Sequence, residues 1–250
     1  MTATARTGRV WFVTTAGHGA GRAVTAAALA RGERVAAVVP DEAARERLLA
    51  RHDEHRRRLF VRALPVADHW SVHAAVRAAA DRFGRLDAIV NDARPPRSRP
   101  GDGTAADAPA DGGGAAAGDA AAPVGWIPEA AARARLESGF FVPLWVAQAV
   151  LPLLYEQRSG HLLQLCGSVA PPGAPGAALD RAGTCAVVAL SRAVACEAAR
   201  HGVGVSVVGG RPGAGSLLRL VDGAAARREA ATAPASAAAP ASAAGHGAAA

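Results

Sequence analysis

The chain contains no lysine. All 28 of its basic residues are arginine, and its 250 residues include a single asparagine (Asn91), a single tyrosine (Tyr155) and a single methionine. Any mechanism that needs a lysine ammonium is therefore excluded. Aromatic residues make up only 4% of the chain, and although half of it is apolar, 67 of its residues are alanine. A methyl group buries little area, so the core is thinner than the apolar percentage suggests. The three cysteines, Cys166, Cys185 and Cys196, are an odd number inside apolar segments with no C-x-x-C pair. That pattern speaks against a disulfide frame and for reduced thiols in a cytoplasmic protein.

Other absences narrow the classes further. The opening residues MTATARTGRVWFV hold no apolar run followed by a cleavage site, so export is not expected. The longest apolar stretch, 139–154, is 16 residues interrupted by Pro143, Gln148 and Pro152. A membrane span needs roughly 20 apolar residues, so a buried helix and no membrane partner are expected. The net charge of +7 comes from scattered arginines, with one basic run at Arg56-Arg57-Arg58. With few aromatics to stack on bases, it reads as a solvated excess and not as a nucleic-acid surface. His52-x-x-His55 and His69-x-x-x-His73 each put two imidazoles on one helix face without an evident third ligand; surface histidines and no metal are expected.

What is present alternates. RVWFVTT (9–15) is a short β-rich run ending in the cluster Gly17, Gly19, Gly21, followed by an alanine-rich helix that Gly32 stops. RVAAVV (34–39) predicts a second strand, LFVRAL (59–64) a third and LDAIVN (86–91) a fourth, with helices between them at about 41–57 and 68–83. A helix from about Pro128 to Gln157, the strand HLLQLC (161–166), a helix over about 178–200 and the strand GVSVVG (204–209) complete the series. Strands separated by helices of this length imply a doubly wound parallel α/β sheet covered on both faces. One domain is expected over 8–221, interrupted by an aperiodic low-complexity insertion at 94–125 and followed by an Ala/Pro/Ser/Gly tail at 222–250, both expected to be disordered. Past GVSVVG, the segment GGRPGAGSLLRLVDG leaves little to build a lid or a seventh strand.

This order, with the glycine cluster after the first strand, LDAIVNDA at the fourth and LWVAQAVLPLLYEQRSGHLLQLCGSVA, resembles the short-chain dehydrogenase/reductase family. The resemblance covers nearly all of the folded part. It implies a Rossmann-type fold, NAD or NADP as cofactor, and hydride transfer to or from a carbonyl or alcohol. The family's phosphate loop, T-G-x-x-x-G-x-G, falls on Thr14, Thr15, Ala16, Gly17, His18, Gly19, Ala20 and Gly21. Gly19 and Gly21 match, Thr15 stands where the first glycine belongs, and Gly17 is a candidate for the lost freedom. The N-N-A-G turn falls on Asn91, Asp92, Ala93 and Arg94. At the end of the second strand, Val39-Pro40-Asp41 offers no side chain placed to select the cofactor, and Pro65 replaces the aspartate near adenine, with Asp68 three residues on.

The family's reaction uses Asn, Ser, Tyr and Lys, the lysine lowering the tyrosine's pKa from about 10. By motif, Ser168 keeps the serine position, while the Tyr-x-x-x-Lys pair falls on Asp180 and Thr184 and the asparagine on Gly139. Tyr155 lies on the preceding helix, in a structural role, and His161 sits at the far end of the strand that leads to Ser168. Two readings follow. The preferred one is a degenerate relative that has lost ordinary hydride transfer and survives as a residual NAD(P) binder or oligomer partner. The alternative is an active NAD(P)-dependent oxidoreductase in which a non-standard acid such as Asp180 replaces the tyrosine. In the family the helices corresponding to 139–157 and 182–200 pack a dimer. Their apolar residues Leu144, Val146, Val150, Leu154, Val187, Leu190 and Val194 suit either a homodimer, a heteromer with an active relative, or the core.

Overall fold

The computed structural model describes residues 8–64, 68–92, 124–167, 178–210 and 212–232. Six strands form one parallel sheet: β1 (Val10–Val13), β2 (Arg34–Val39), β3 (Leu59–Ala63), β4 (Ala88–Asp92), β5 (His161–Cys166) and β6 (Gly204–Gly209), in the order β3-β2-β1-β4-β5-β6. Every pairing is parallel, and β1 lies between β2 and β4, with Trp11 opposite both Val35 and Ala88. The doubly wound Rossmann-type sheet expected from the alternating pattern is the observed fold.

Side-chain alternation splits the core. Trp11 and Val13 point to one face, where they meet α1 (Gly19–Ala30), α2 (Glu42–Arg51) and α7 (Ala214–Thr232). Val10 and Phe12 point to the other, against α3 (His69–Phe83), α5 (Val142–Gln157) and α6 (Ala178–Ala199). Covering both faces explains why these strands read as continuous apolar runs. The helix at 129–157 is continuous but not uniform: α4 (Glu129–Leu136) passes through a π-helical turn at Glu137–Phe141 before α5. With α6, it meets the length and hydropathy of a membrane span by composition alone. The apolar character has a local use, since Val146, Val150, Leu154, Val187 and Val194 are buried in the core, whereas Leu144 and Leu190 are only partly covered.

Three boundaries differ from expectation. The helix placed over 41–57 ends at Arg51 and is followed by a short 3-10 turn at Asp53–His55. The tail drawn from 222 begins inside α7, which runs to Thr232, because Leu217, Leu218 and Val221 form an apolar face that buries against the sheet. Of the insertion drawn at 94–125, Val124 and Gly125 begin a 3-10 turn that ends at Trp126; the remainder, like 233–250, lies outside the described residues.

A charged clasp holds α7 down. Asp222 accepts from Arg9 at 2.6 Å and from both terminal nitrogens of Arg31 at 3.0 and 3.2 Å. Beneath it, buried Glu33 accepts from the Trp11 indole at 2.6 Å, so the largest core side chain keeps its N–H satisfied. Partial burial pushes the Asp222 carboxyl upward, but the hydrogen bonds and charges of Arg31 and Arg9 outweigh it and hold the group below its ordinary value of 3.8. Asp222→Ala is expected to cost about 1 kcal/mol, the partners being partly exposed and screened. Because the folded value is lowered, this stabilisation is present above pH 3.8 and is lost as pH falls through the lowered value. Denaturant midpoints of wild type and variant should therefore differ at pH 7 and converge in acid.

Candidate active site

In an open parallel sheet the ligand crevice lies beyond the carboxyl ends of the strands where their order reverses, here between β1 and β4. The loop from Thr14 to His18 crosses that point. Thr14 N–H donates to Val90 O at 3.1 Å and Ala16 N–H to Val38 O at 3.1 Å, so the loop is tied to the ends of β4 and β2. Gly21 then brings α1 under the loop: a Cβ there would sit 2.2 Å from the Thr15 carbonyl oxygen, a distance no side chain survives. The left-handed backbone occurs at Gly19 (φ +54°) and not at Gly17, the residue expected to supply it. At the N-cap of α1, His18 is exposed and makes no side-chain cap, and the first turn holds no acid. The first N–H groups of such a helix lack intrahelical partners, and the dipole favours an anion there. This half of the site fits a pyrophosphate.

The departure in the phosphate loop, Thr15, touches the one in the N-N-A-G turn, Asp92. Thr15 Oγ1 donates to Asp92 Oδ2 at 3.3 Å, and Asp92 N–H donates to Thr14 Oγ1 at 3.0 Å. Threonine replaces the first glycine without strain, since its φ is not left-handed. The Asp92 carboxylate is thereby held beside the loop at the end of β4.

The two acids that follow β2 and β3 in the chain cap helices. Asp41 caps α2 by accepting from Ala44 N–H at 2.6 Å. Asp68 caps α3 in a reciprocal box with Ser71, and the Ser71 N–H bond holds its carboxyl below the ordinary value. Asn91, expected at the cofactor, is turned away into the core. Its Nδ2 donates to Pro143 O and to Gln164 Oε1, each at 2.9 Å, and Gln164 Nε2 donates back to Asn91 O at 3.2 Å. These buried amides staple β4, β5 and α5 together.

Three of the positions matched to the catalytic tetrad, Gly139, Asp180 and Thr184, fall within the described residues. Gly139 lies in the π-helical turn, and its carbonyl oxygen is 3.5 Å from where a Cβ on Gly183 of α6 would sit. One residue on, Thr184 Oγ1 is 3.7 Å from the corresponding point on Gly167, at the end of β5. Asp180, one turn before Thr184, is half-exposed and lies 3.7 Å from the Arg135 guanidinium of α4. Ser168, Ala93, Arg94 and Pro65 lie outside the described residues. Tyr155 is at the opposite end of the strands, near the starts of β5 and β6. Its ring stacks on His201 at 4.2 Å, and burial, with the charge of Glu197, raises its hydroxyl above the ordinary 10.0. Near it, Gln157 is bonded to the backbone of Leu86, before β4 begins. His161 is also distant, at the start of β5, with its Nε2 2.9 Å from Ser206 Oγ.

A family model for short chain dehydrogenases matches residues 9–105, which span β1 to β4 and the whole phosphate loop. Over β1 to β4 the chain is thus similar to the short chain dehydrogenases. Oxidoreductase BOA17 of Botryotinia fuckeliana (strain B05.10) is 28% identical over 208 residues, 80% of this chain and 64% of that protein. The chain thus spans less than two thirds of the length of this curated relative. Among solved structures, a short-chain dehydrogenase from Streptomyces avermitilis is 23% identical with a TM-score of 0.66, covering 93% of this chain and 87% of that one. A metagenomic short-chain oxidoreductase in complex with NADP (18% identity, TM-score 0.69, 86% and 90% covered) and an NAD+-bound xylitol dehydrogenase (20%, 0.65, 82% and 71%) share the same fold.

Sequence reasoning did not find the Thr15–Asp92 contact, the Arg135 partner of Asp180 or the amide staple. Only the last left a visible signal, a glutamine in the middle of the buried strand HLLQLC. Gly21→Ala is expected to destabilise the chain by about 1–3 kcal/mol through overpacking, because the Thr15 carbonyl at 2.2 Å is backbone and cannot step aside. Urea unfolding measures the loss, and Gly17→Ala, with only Val39 Cγ1 at 3.9 Å, is the mild comparison.

Proposed function

We propose that this short-chain dehydrogenase/reductase chain is a nucleotide binder that no longer carries out ordinary hydride transfer, and that it works in the cytoplasm as a homodimer or as the partner of an active relative. The observation that carries the reading is at the tetrad. The tyrosine position holds an aspartate paired with Arg135, the lysine position holds a threonine, and the chain has no lysine to recruit from elsewhere. NAD or NADP, when bound, supplies a hydride donor or acceptor. This chain's part would be to hold the pyrophosphate on the first turn of α1, with Gly19 and Gly21 keeping the backbone close. No phenol stands beside a cation to move the accompanying proton at the matched positions. Asp180 is half-exposed beside the Arg135 guanidinium and is not enclosed in an apolar pocket. The pairing surface is better sought on α6 than in the apolar residues named from sequence, most of which are core. Ala182, Cys185, Ala189, Ala193 and Cys196 make a small-residue face that is exposed in the single chain.

Calorimetric titration with NAD, NADH, NADP and NADPH, beside an assay for carbonyl-dependent NADPH oxidation, tests the proposal. Binding without turnover is the expected result. Turnover that falls in Asp180→Ala and Ser168→Ala would instead establish an active oxidoreductase with a substitute acid. Silence from all four ligands would remove the nucleotide. Asp92→Asn is expected to tighten dinucleotide binding about tenfold by lifting like-charge repulsion in the crevice.

A further inference from the structure

A second feature lies outside the crevice, where α3 opens with two histidines one helical turn apart. His69 is the first residue of α3 and His73 follows at i+4, their ring centres 4.3 Å apart and their planes tilted by 35°. Trp70 and Trp145 set their rings nearly perpendicular to His69, at 5.1 and 6.4 Å. The Nε2 atom of His73 is enclosed and has no hydrogen-bond partner among the described residues, which is unusual for a buried ring nitrogen.

The other pair in the chain differs in each respect that matters. His52 and His55 are 6.4 Å apart, and His55 Nδ1 is already 3.0 Å from Arg58. Among the described residues no three His, Cys, Asp or Glu side chains gather as metal ligands. The nearest carboxylate in sequence, Asp68, is committed to its cap. Whatever the α3 pair holds would have two protein ligands among the described residues.

We propose that His69 and His73 chelate one late first-row divalent cation. Two imidazoles at i and i+4 on a rigid turn present their nitrogens to a common point, and metal–nitrogen bonds of about 2.0–2.1 Å suit rings this close after small side-chain rotations. Imidazole nitrogen selects Cu2+ most strongly, then Zn2+ and Ni2+. The site lies on α3 and does not depend on nucleotide binding.

The test is titration of the full, untagged chain with Cu2+, read by calorimetry and by electron paramagnetic resonance. One ion per chain with hyperfine coupling to two imidazole nitrogens is expected. Losing one arm of the chelate forfeits the effective concentration of the second, so His69→Ala and His73→Ala should each weaken binding about a hundredfold, and His52→Ala should leave it unchanged. Alanine is a good helix former, and circular dichroism checks that α3 persists in each variant. Binding that survives both α3 substitutions, that falls equally in His52→Ala, or that is absent from the wild type overturns the proposal.

Discussion

The seam between β1 and β4 constrains everything built on this sheet. Strand order reverses there, so helices leave to opposite faces and the crevice opens above the strand ends. In this chain the seam is closed by side chains as well as by the ladder. Thr14 and Thr15 both bond Asp92, and Asn91, one residue earlier, locks β4 to Gln164 of β5 and to the start of α5. Neighbouring residues on one strand thus face opposite tasks. Asn91 looks into the dry core and Asp92 into the crevice, as the two-residue period of a strand requires. The loop geometry, the approach of α1 and the π-helical turn before α5 all rest on strand ends held in this register.

That arrangement explains how a phosphate loop survives the loss of its first glycine. A glycine is indispensable where φ is left-handed or where a Cβ would collide. At position 15 the backbone asks for neither, whereas Gly19 and Gly21 each meet one of those conditions. Threonine at 15 is accommodated because its hydroxyl has an acceptor in Asp92. The two substitutions are best understood as one coupled change, stabilising to the loop and unfavourable to a bound phosphate.

Much of the architecture was legible in the residues. Period, length and glycine punctuation locate the six strands, and the apolar runs announce burial on both faces. The end of α7 was harder to read, because its alanine-rich continuation looks like the tail that follows. Only the spacing of Leu217, Leu218 and Val221 marks it as a helix with a buried side. Positions in the site were legible as a list but not as contacts. Sequence names Asp41, Asp68 and Asn91, yet whether a polar side chain faces a ligand, caps a helix or staples a core depends on backbone direction at that residue. Asp41 and Asp68 stand immediately before helices, and capping was there to be read from position alone.

The catalytic positions show why fold and chemistry separate so readily in this architecture. The residues that build the sheet and its two cores lie in the middle of elements, where each large apolar side chain contributes about 1.5–3 kcal/mol by burial. The tetrad positions lie at element ends: the π-helical turn, the close of β5 and the first turns of α6. Asp180 is half-exposed there and costs the fold little, and its approach to Arg135 adds a contact between α6 and α4. On the proposed reading, a site at the rim of a doubly wound sheet forgoes its proton donor and its cation while the buried register beneath it stays intact. One residue there has two duties: Gly21 shapes the phosphate loop and also seats α1 on the sheet, so replacing it disturbs the fold as well as the site.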